Sequence, residues 1–398
     1  MLVRDVADAL LLRRWALMFL AGREIAPPAE CSETGYDLFL EAERCAVPLL
    51  RHVGSLSSAA FPEDFSIRLT RRAGVEQQRI ESAREQLATI RETAREHGWR
   101  VALLKGTAAV AGGDTAVDLV DIDLLLKPDQ ARAFAAALDR RGYRPIEGST
   151  PRHLAGRSNG GAVSIEIHTT LSEDGAPAPE TVWTGLRQLK GSPELHRLGA
   201  ADHLWHMLTH IALDHPNRQA HLRELLLVAG AVDECATDEM ADVGRRIAGH
   251  AQCETLWRTL LASRDLIAGV DSQAVVAAKV YAVRRVLRSV RMPRILCPYV
   301  YEWAFALFFG KAARRRLWKR IWQPSLEPSL FGPVRWLETK AGRIGTVMRR
   351  VLRLGRAALA IAVAIPAAAA ARRTASAAVT ALAARANPPN LPDGFPAT

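Results

Sequence analysis

The sequence predicts an α+β protein, with one small layer of strands and helices set between helical regions. Three observations predict it. The 49% hydrophobic and 24% charged content of the 398 residues excludes wholesale disorder and is enough to build more than one core. Hydrophobic residues recur at helical spacing before Gly98 and again after Asp202. Between these points the pattern changes to alternating or continuous apolar runs, as strands require.

Taken in order, residues 1–75 read as an N-terminal region of short helices, broken at Pro27-Pro28 and Phe61-Pro62. The apolar run Trp15 to Ala21 lies between Asp5 and Asp8 on one side and Arg23 and Glu24 on the other. It is too short for the core of a signal peptide and is read as a buried helix segment. A long amphipathic helix follows, with Ile80, Ala83, Leu87, Ile90 and Ala94 on one face and His97-Gly98 at its end. Val101 to Leu104 is a strand closed by Lys105-Gly106, and a small helix covers Thr107 to Ala111. Leu119 to Leu126 is a second strand. Pro128-Asp129 opens a helix that Gly142 ends, and Ala162 to His168 alternates strictly as a third strand. These elements define a core at 76–172. Residues 173–309 are expected to form a helical domain, 310–356 a basic amphipathic arm, and 357–398 an Ala- and Pro-rich tail, helical or disordered and expected to be flexible.

Charge divides unevenly along this plan. The net charge is +11, yet residues 310–398 hold 16 basic and 3 acidic residues, while the preceding 309 hold 37 and 39. Basicity is thus a C-terminal property, and a protein coated all over with nucleic acid is excluded. Two stretches carry it: Lys311 to Trp322, with an apolar stripe of Leu317, Trp318, Ile321 and Trp322, and Arg343 to Arg356. A helix packed on the body with a solvated basic face, an anionic membrane surface and an acidic partner all fit such stretches, with nucleic acid ranked last. The fifteen uncharged residues between Arg356 and Arg372 fall short of the ~20 that span a bilayer. Five scattered cysteines without a CxxC pair point to a reducing compartment. A cytoplasmic location, with peripheral attachment at the inner membrane face as a further option, is the expectation.

The chemistry-bearing residues lie in the strands. Asp121 and Asp123 are two apart, so they share one face of their strand with Cβ atoms roughly 6–7 Å apart, while Ile122 and Leu124 point to the other. Two carboxylates on one face of an apolar strand call for compensation, and a divalent cation compensates most strongly. A solvent-exposed strand face is the plainer reading. Glu166 lies on the polar face of the third strand with Ser164 and His168, and completes a three-carboxylate cluster if that strand lies beside the second. Leu104-Lys105-Gly106-Thr107 is a strand-to-helix turn whose amides and hydroxyl suit phosphate oxygens, although a plain turn explains it too. His206 and His210, at i and i+4 in a later helix, have the spacing of a zinc pair but no Glu between them as a general base. Helix packing or the lining of an acceptor pocket is the favoured reading there.

Leu104-Lys105-Gly106, Asp121-Ile122-Asp123-Leu124-Leu125 and Glu166-Ile167-His168, in that order, resemble the bacterial uncharacterised nucleotidyltransferase family of the DNA polymerase beta-like superfamily. The resemblance runs from about Phe61 to Leu171, with weaker likeness in the helices after it. It implies a small mixed sheet, Mg²⁺ or Mn²⁺ held by Asp121, Asp123 and Glu166, and a nucleoside triphosphate at Gly106-Thr107 with Lys105 nearby. His168 would be an accessory residue that orients a ligand or the acceptor. The implied activity moves an NMP from an NTP to an acceptor hydroxyl or phosphate and releases pyrophosphate. Two departures stand out. Gly-Thr replaces the usual Gly-Ser, and Val117-Asp118-Leu119-Val120 stands where the family commonly has an Arg, so that Asp118 is expected to add unneeded negative charge. The alternative is therefore a weak or inactive scaffold of the same fold that binds a membrane surface or acidic partner through its basic arm.

Overall fold

The computed structural model describes residues 1–20, 26–55, 61–113, 118–146, 154–171, 179–214, 221–250, 253–254, 256–258, 274–290, 297–309, 314 and 342–386. The N-terminal region contains α1 (Leu2–Leu20), α2 (Glu33–Glu43) and α3 (Ala46–Ser55), followed by the long α4 (Glu63–His97). Ser32 caps α2, its hydroxyl accepting from the Gly35 N–H at 3.1 Å. Gly98, at φ +66°, ends α4 in the left-handed conformation that glycine adopts without strain. Ile80, Ala83, Leu87, Ile90 and Ala94 are buried, as their spacing predicts.

Among the described residues, seven strands form one mixed sheet: β1 (Val101–Leu103), β2 (Asp121–Leu125), β3 (Arg144–Pro145), β4 (Arg157–Ser158), β5 (Ser164–His168), β6 (Arg187–Leu189) and β7 (Ser192–Arg197). Their order is β3-β4-β5-β2-β1-β7-β6. Strand β2 runs antiparallel to β1 and parallel to β5, and β1 runs parallel to β7. The sheet therefore continues past residue 172, where the sequence expectation ended the core, and takes two strands from 187–197. Helix α5 (Lys105–Ala111) follows β1, and α6 (Pro128–Arg140) follows β2.

The two faces of the sheet enter different cores. Ile122, Leu124, Ile165 and Ile167 join the larger one with Ile80, Leu87 and Phe134 from α4 and α6. Ala102, Leu104 and Leu125 join a second core with Trp205 and Leu208 of α8 (Ala200–Thr209) and Val228 of α9 (Leu222–Asp233). Strand alternation puts Asp121 and Asp123 on the Leu125 face, towards this second core. A π-helical turn, His210–Asp214, continues α8, and α7 (Pro179–Thr184) and α10 (Thr237–Ile247) complete this part.

Helices α11 (Ala274–Ser289), α12 (Cys297–Phe309) and α13 (Gly342–Ala386) finish the chain. Residues 357–386, expected within a flexible tail, lie in α13, which runs unbroken through Pro366. Ala360, Ala364, Ala367, Ala371, Ala375 and Ala378 are buried at intervals of three and four. This face packs against α1, α11 and α12, since methyl-sized side chains allow close approach of helices. The stretch Ala357–Ala383 is long and apolar enough to cross a membrane by length and composition, because the helix continues beyond Arg372. Residues 387–398 and, apart from Arg314, the basic stretch Lys311 to Trp322 lie outside the described residues.

Candidate active site

The site forms where β2 and β5 lie side by side. Their parallel register pairs Asp121 with Ser164, Asp123 with Glu166 and Leu125 with His168. Neighbouring strands lie ~4.8 Å apart, so paired side chains on one face meet. One ligand atom each from Asp123, Glu166 and His168 lie within 4.8 Å of one another. Asp121, half-buried and one pleat away on the same face, is outside that group. The sequence-derived carboxylates thus come together as two, with His168 in place of the third.

Asp123 is the centre. It is 4% exposed, and its Oδ1 accepts from Lys105 Nζ at 2.9 Å and contacts His168 Nε2 at 2.9 Å. His168 Nε2 also lies 3.8 Å from Glu166 Oε2. Burial alone raises the Asp123 carboxyl, but the Lys105 ammonium, the His168 hydrogen bond and charge, and the charge of His210 outweigh it and hold Asp123 well below the usual carboxylate range. His210 therefore borders the site from the π-helical turn. Lys105 reaches Asp123 from the first position of α5, with a backbone φ of +50°.

Gly106 and Thr107 are both buried in α5. The Thr107 N–H donates to Leu104 O at 3.0 Å, and its hydroxyl accepts from the Asp123 N–H at 2.9 Å. Thr107 thereby fixes the height of Asp123 along β2.

Asp118 overturns its expected part as an unneeded negative charge. It is fully buried, and its carboxylate accepts from Arg44 Nε at 2.7 Å and from Arg79 Nη1 at 3.1 Å, with Arg72 Nη2 at 3.8 Å. Arg223 Nε donates to the Asp118 backbone oxygen at 2.5 Å. The position where the family commonly has an Arg is instead an anchor that gathers arginines from α4, α9 and the end of α2. Arg223 is raised despite its burial, by Glu224, Asp118, Asp121 and Asp123 in turn, so it also feels the carboxylates of β2. No local sequence signal marks Arg44 or Arg223.

The histidine helix holds no metal-type group among the described residues. His206 and His210 are buried with ring centroids 6.0 Å apart.

A family model described as uncharacterised nucleotidyltransferase matches residues 39–258, more than half of the chain. The chain belongs to this family. No curated protein and no solved structure matches. The match begins well before Phe61 and takes in Arg44, Arg79, Asp118 and Arg223 as well as the acidic cluster, while the basic arm lies beyond it. Nucleotidyltransferases are typically metal-dependent, and the donor set fits such an ion: two carboxylates that supply the hard oxygens Mg²⁺ prefers and an imidazole that Mn²⁺ accepts.

Proposed function

We propose that the protein transfers an NMP from an NTP to an acceptor hydroxyl or phosphate, with release of pyrophosphate. The convergence of Asp123, Glu166 and His168 on adjacent parallel strands carries this reading. Asp123 and Glu166 would hold Mg²⁺ or Mn²⁺, with Asp121 beside them on the same face. When bound, the ion supplies charge neutralisation on phosphate oxygens and makes an acceptor hydroxyl more acidic. Lys105 brings a second positive charge to the phosphates, Gly106 lets the backbone come close, and Thr107 positions Asp123. The acceptor oxygen bonds to the α-phosphorus as the bond to the bridging oxygen breaks, the two electrons leave with pyrophosphate, and the acceptor proton passes to solvent. Positioning and charge neutralisation account for such a rate, with little covalent chemistry left to the protein.

The test is incubation with each α-labelled NTP, Mg²⁺ or Mn²⁺ and a cell extract. One labelled product with matching pyrophosphate is expected, and Asp123→Asn or Glu166→Gln should reduce it by about 100-fold or more. Absence of label transfer together with absence of any metal-dependent NTP shift in melting temperature overturns the reading. A non-catalytic scaffold is favoured by one observation, that Lys105 and His168 already satisfy Asp123 Oδ1. It requires melting temperatures indifferent to NTP and metal.

A further inference from the structure

Residues of α5, α8 and α9, with Arg44 from the end of α2, line a cavity of about 460 Å³, within the ~300–1,000 Å³ of small-molecule sites. Ala108, Ala109, Leu226 and Leu227 supply an apolar wall, and Arg44, Arg223 and His203 supply the polar one. At one edge Arg197 and Glu234 neutralise each other, Arg197 Nη1 donating to both carboxylate oxygens at 2.9 and 2.8 Å.

The polar wall presents two guanidiniums, those of Arg44 and Arg223. Behind it Arg44, Arg72, Arg79 and Arg223 meet the carboxylates of Asp118, Glu76 and Glu224, and Arg223 also feels the charges of Asp121 and Asp123. Arg44 is lowered to about 10, chiefly by burial and then by the charge of Arg223, so the two guanidiniums repel each other. Arg44 commits Nε and Nη2 to Asp118, and Arg223 commits Nε to Asp118 and Nη1 to Glu224. Arg44 Nη1 and Arg223 Nη2 have no partner among the described residues. Nor does the buried Nε2 of His203.

We propose that this cavity binds a phosphate-bearing small molecule, its phosphoryl group received by the guanidiniums of Arg44 and Arg223 and its body lying against the Ala108–Leu227 wall. A phosphate has oxygens enough to accept from two planar forks at once, and its double charge relieves their repulsion where a carboxylate relieves half. The ligand is either the tail of the NTP or a phosphorylated acceptor, and only the choice between these rests on the nucleotidyltransferase reading.

The probes are phenyl phosphate, ATP without metal, and benzoate, titrated calorimetrically into the full chain. Saturable binding of phenyl phosphate, much weaker binding of benzoate, and a loss of at least about tenfold in Arg44→Gln and Arg223→Gln are expected. Because those arginines also support Asp118, Gly230→Trp is the second variant. Gly230 lines the cavity, and a Cβ there meets nothing within 4 Å, so a side chain at this position starts out into open space. It should abolish binding while the melting temperature holds. Asp123→Asn should lose transfer but keep phenyl phosphate binding, which separates this site from the acidic cluster. Displacement of phenyl phosphate by ATP identifies the NTP tail, and simultaneous binding identifies a phosphorylated acceptor. Equal binding of benzoate, no saturable phosphate binding, or unchanged binding in Gly230→Trp overturns the assignment.

Discussion

Thr107 carries little chemistry by itself, yet its hydroxyl is the acceptor for the buried Asp123 N–H. Thr107→Val keeps the shape and removes that acceptor, so a loss of ~1–3 kcal/mol is expected in urea unfolding, with a fall in transfer rate as Asp123 shifts. His203 makes a second prediction. Burial lowers it first, Glu234 opposes and Arg197 adds to the lowering, so it stays neutral in the folded state below its ordinary 6.5. The unfolded chain then takes up the proton more readily, and stability falls as pH drops below about 6.5. Urea midpoints at pH 7.5 and 5.5 should show that fall, and His203→Gln should reduce it. Single residues also mark how far the sequence could be read. The shared faces of Asp121 with Asp123 and of Glu166 with His168 were legible because strand alternation assigns faces without knowing the fold. Arg44 and Arg223 were not, for they reach Asp118 across 74 and 105 positions, and no local spacing encodes such a meeting.

At the level of elements, the strands that carry the acids announced themselves by alternation, whereas β7 did not. Its sequence, SPELHR, contains a proline and three charged or titratable side chains, and only its place between β1 and β6 makes it a strand. The Ala-rich end posed the opposite difficulty. Alanine is compatible with a tail or with a helix, and the three-and-four spacing of Ala360 to Ala378 becomes a packing face only once α1, α11 and α12 stand against it. Ala371 is fully buried in that face. Ala371→Leu should destabilise the protein by ~1–3 kcal/mol through overpacking, read as a lower urea midpoint, although leucine is nearly as good a helix former.

Across the whole molecule, distant parts of the chain converge on Glu43. Its carboxylate accepts from Arg13 of α1 at 2.9 Å, from the Leu222 N–H that opens α9 at 2.5 Å, and from the Tyr281 hydroxyl of α11. Arg13 and Glu43 are 2% and 1% exposed, so Glu43→Ala takes a buried carboxylate away from Arg13, the Leu222 N–H and Tyr281 at once. A loss of ~3–5 kcal/mol is expected by chemical denaturation. Asp242→Ala, which removes the partner of the 71%-exposed Arg245 and one of two partners of the half-buried Arg246, should cost far less, ~1 kcal/mol or below. Arg44 and Lys105, at φ +53° and +50°, are the non-glycine residues with positive φ among those described. Such a backbone costs roughly 1–3 kcal/mol per residue. Both are cations, and both grip carboxylates of the same short segment, Asp118 and Asp123. Glycine at either position would relax the main chain and remove the charge in one stroke. Engineering for thermal robustness would thus be drawn to the two places where a gain in stability would also remove the cation that holds Asp118 or Asp123.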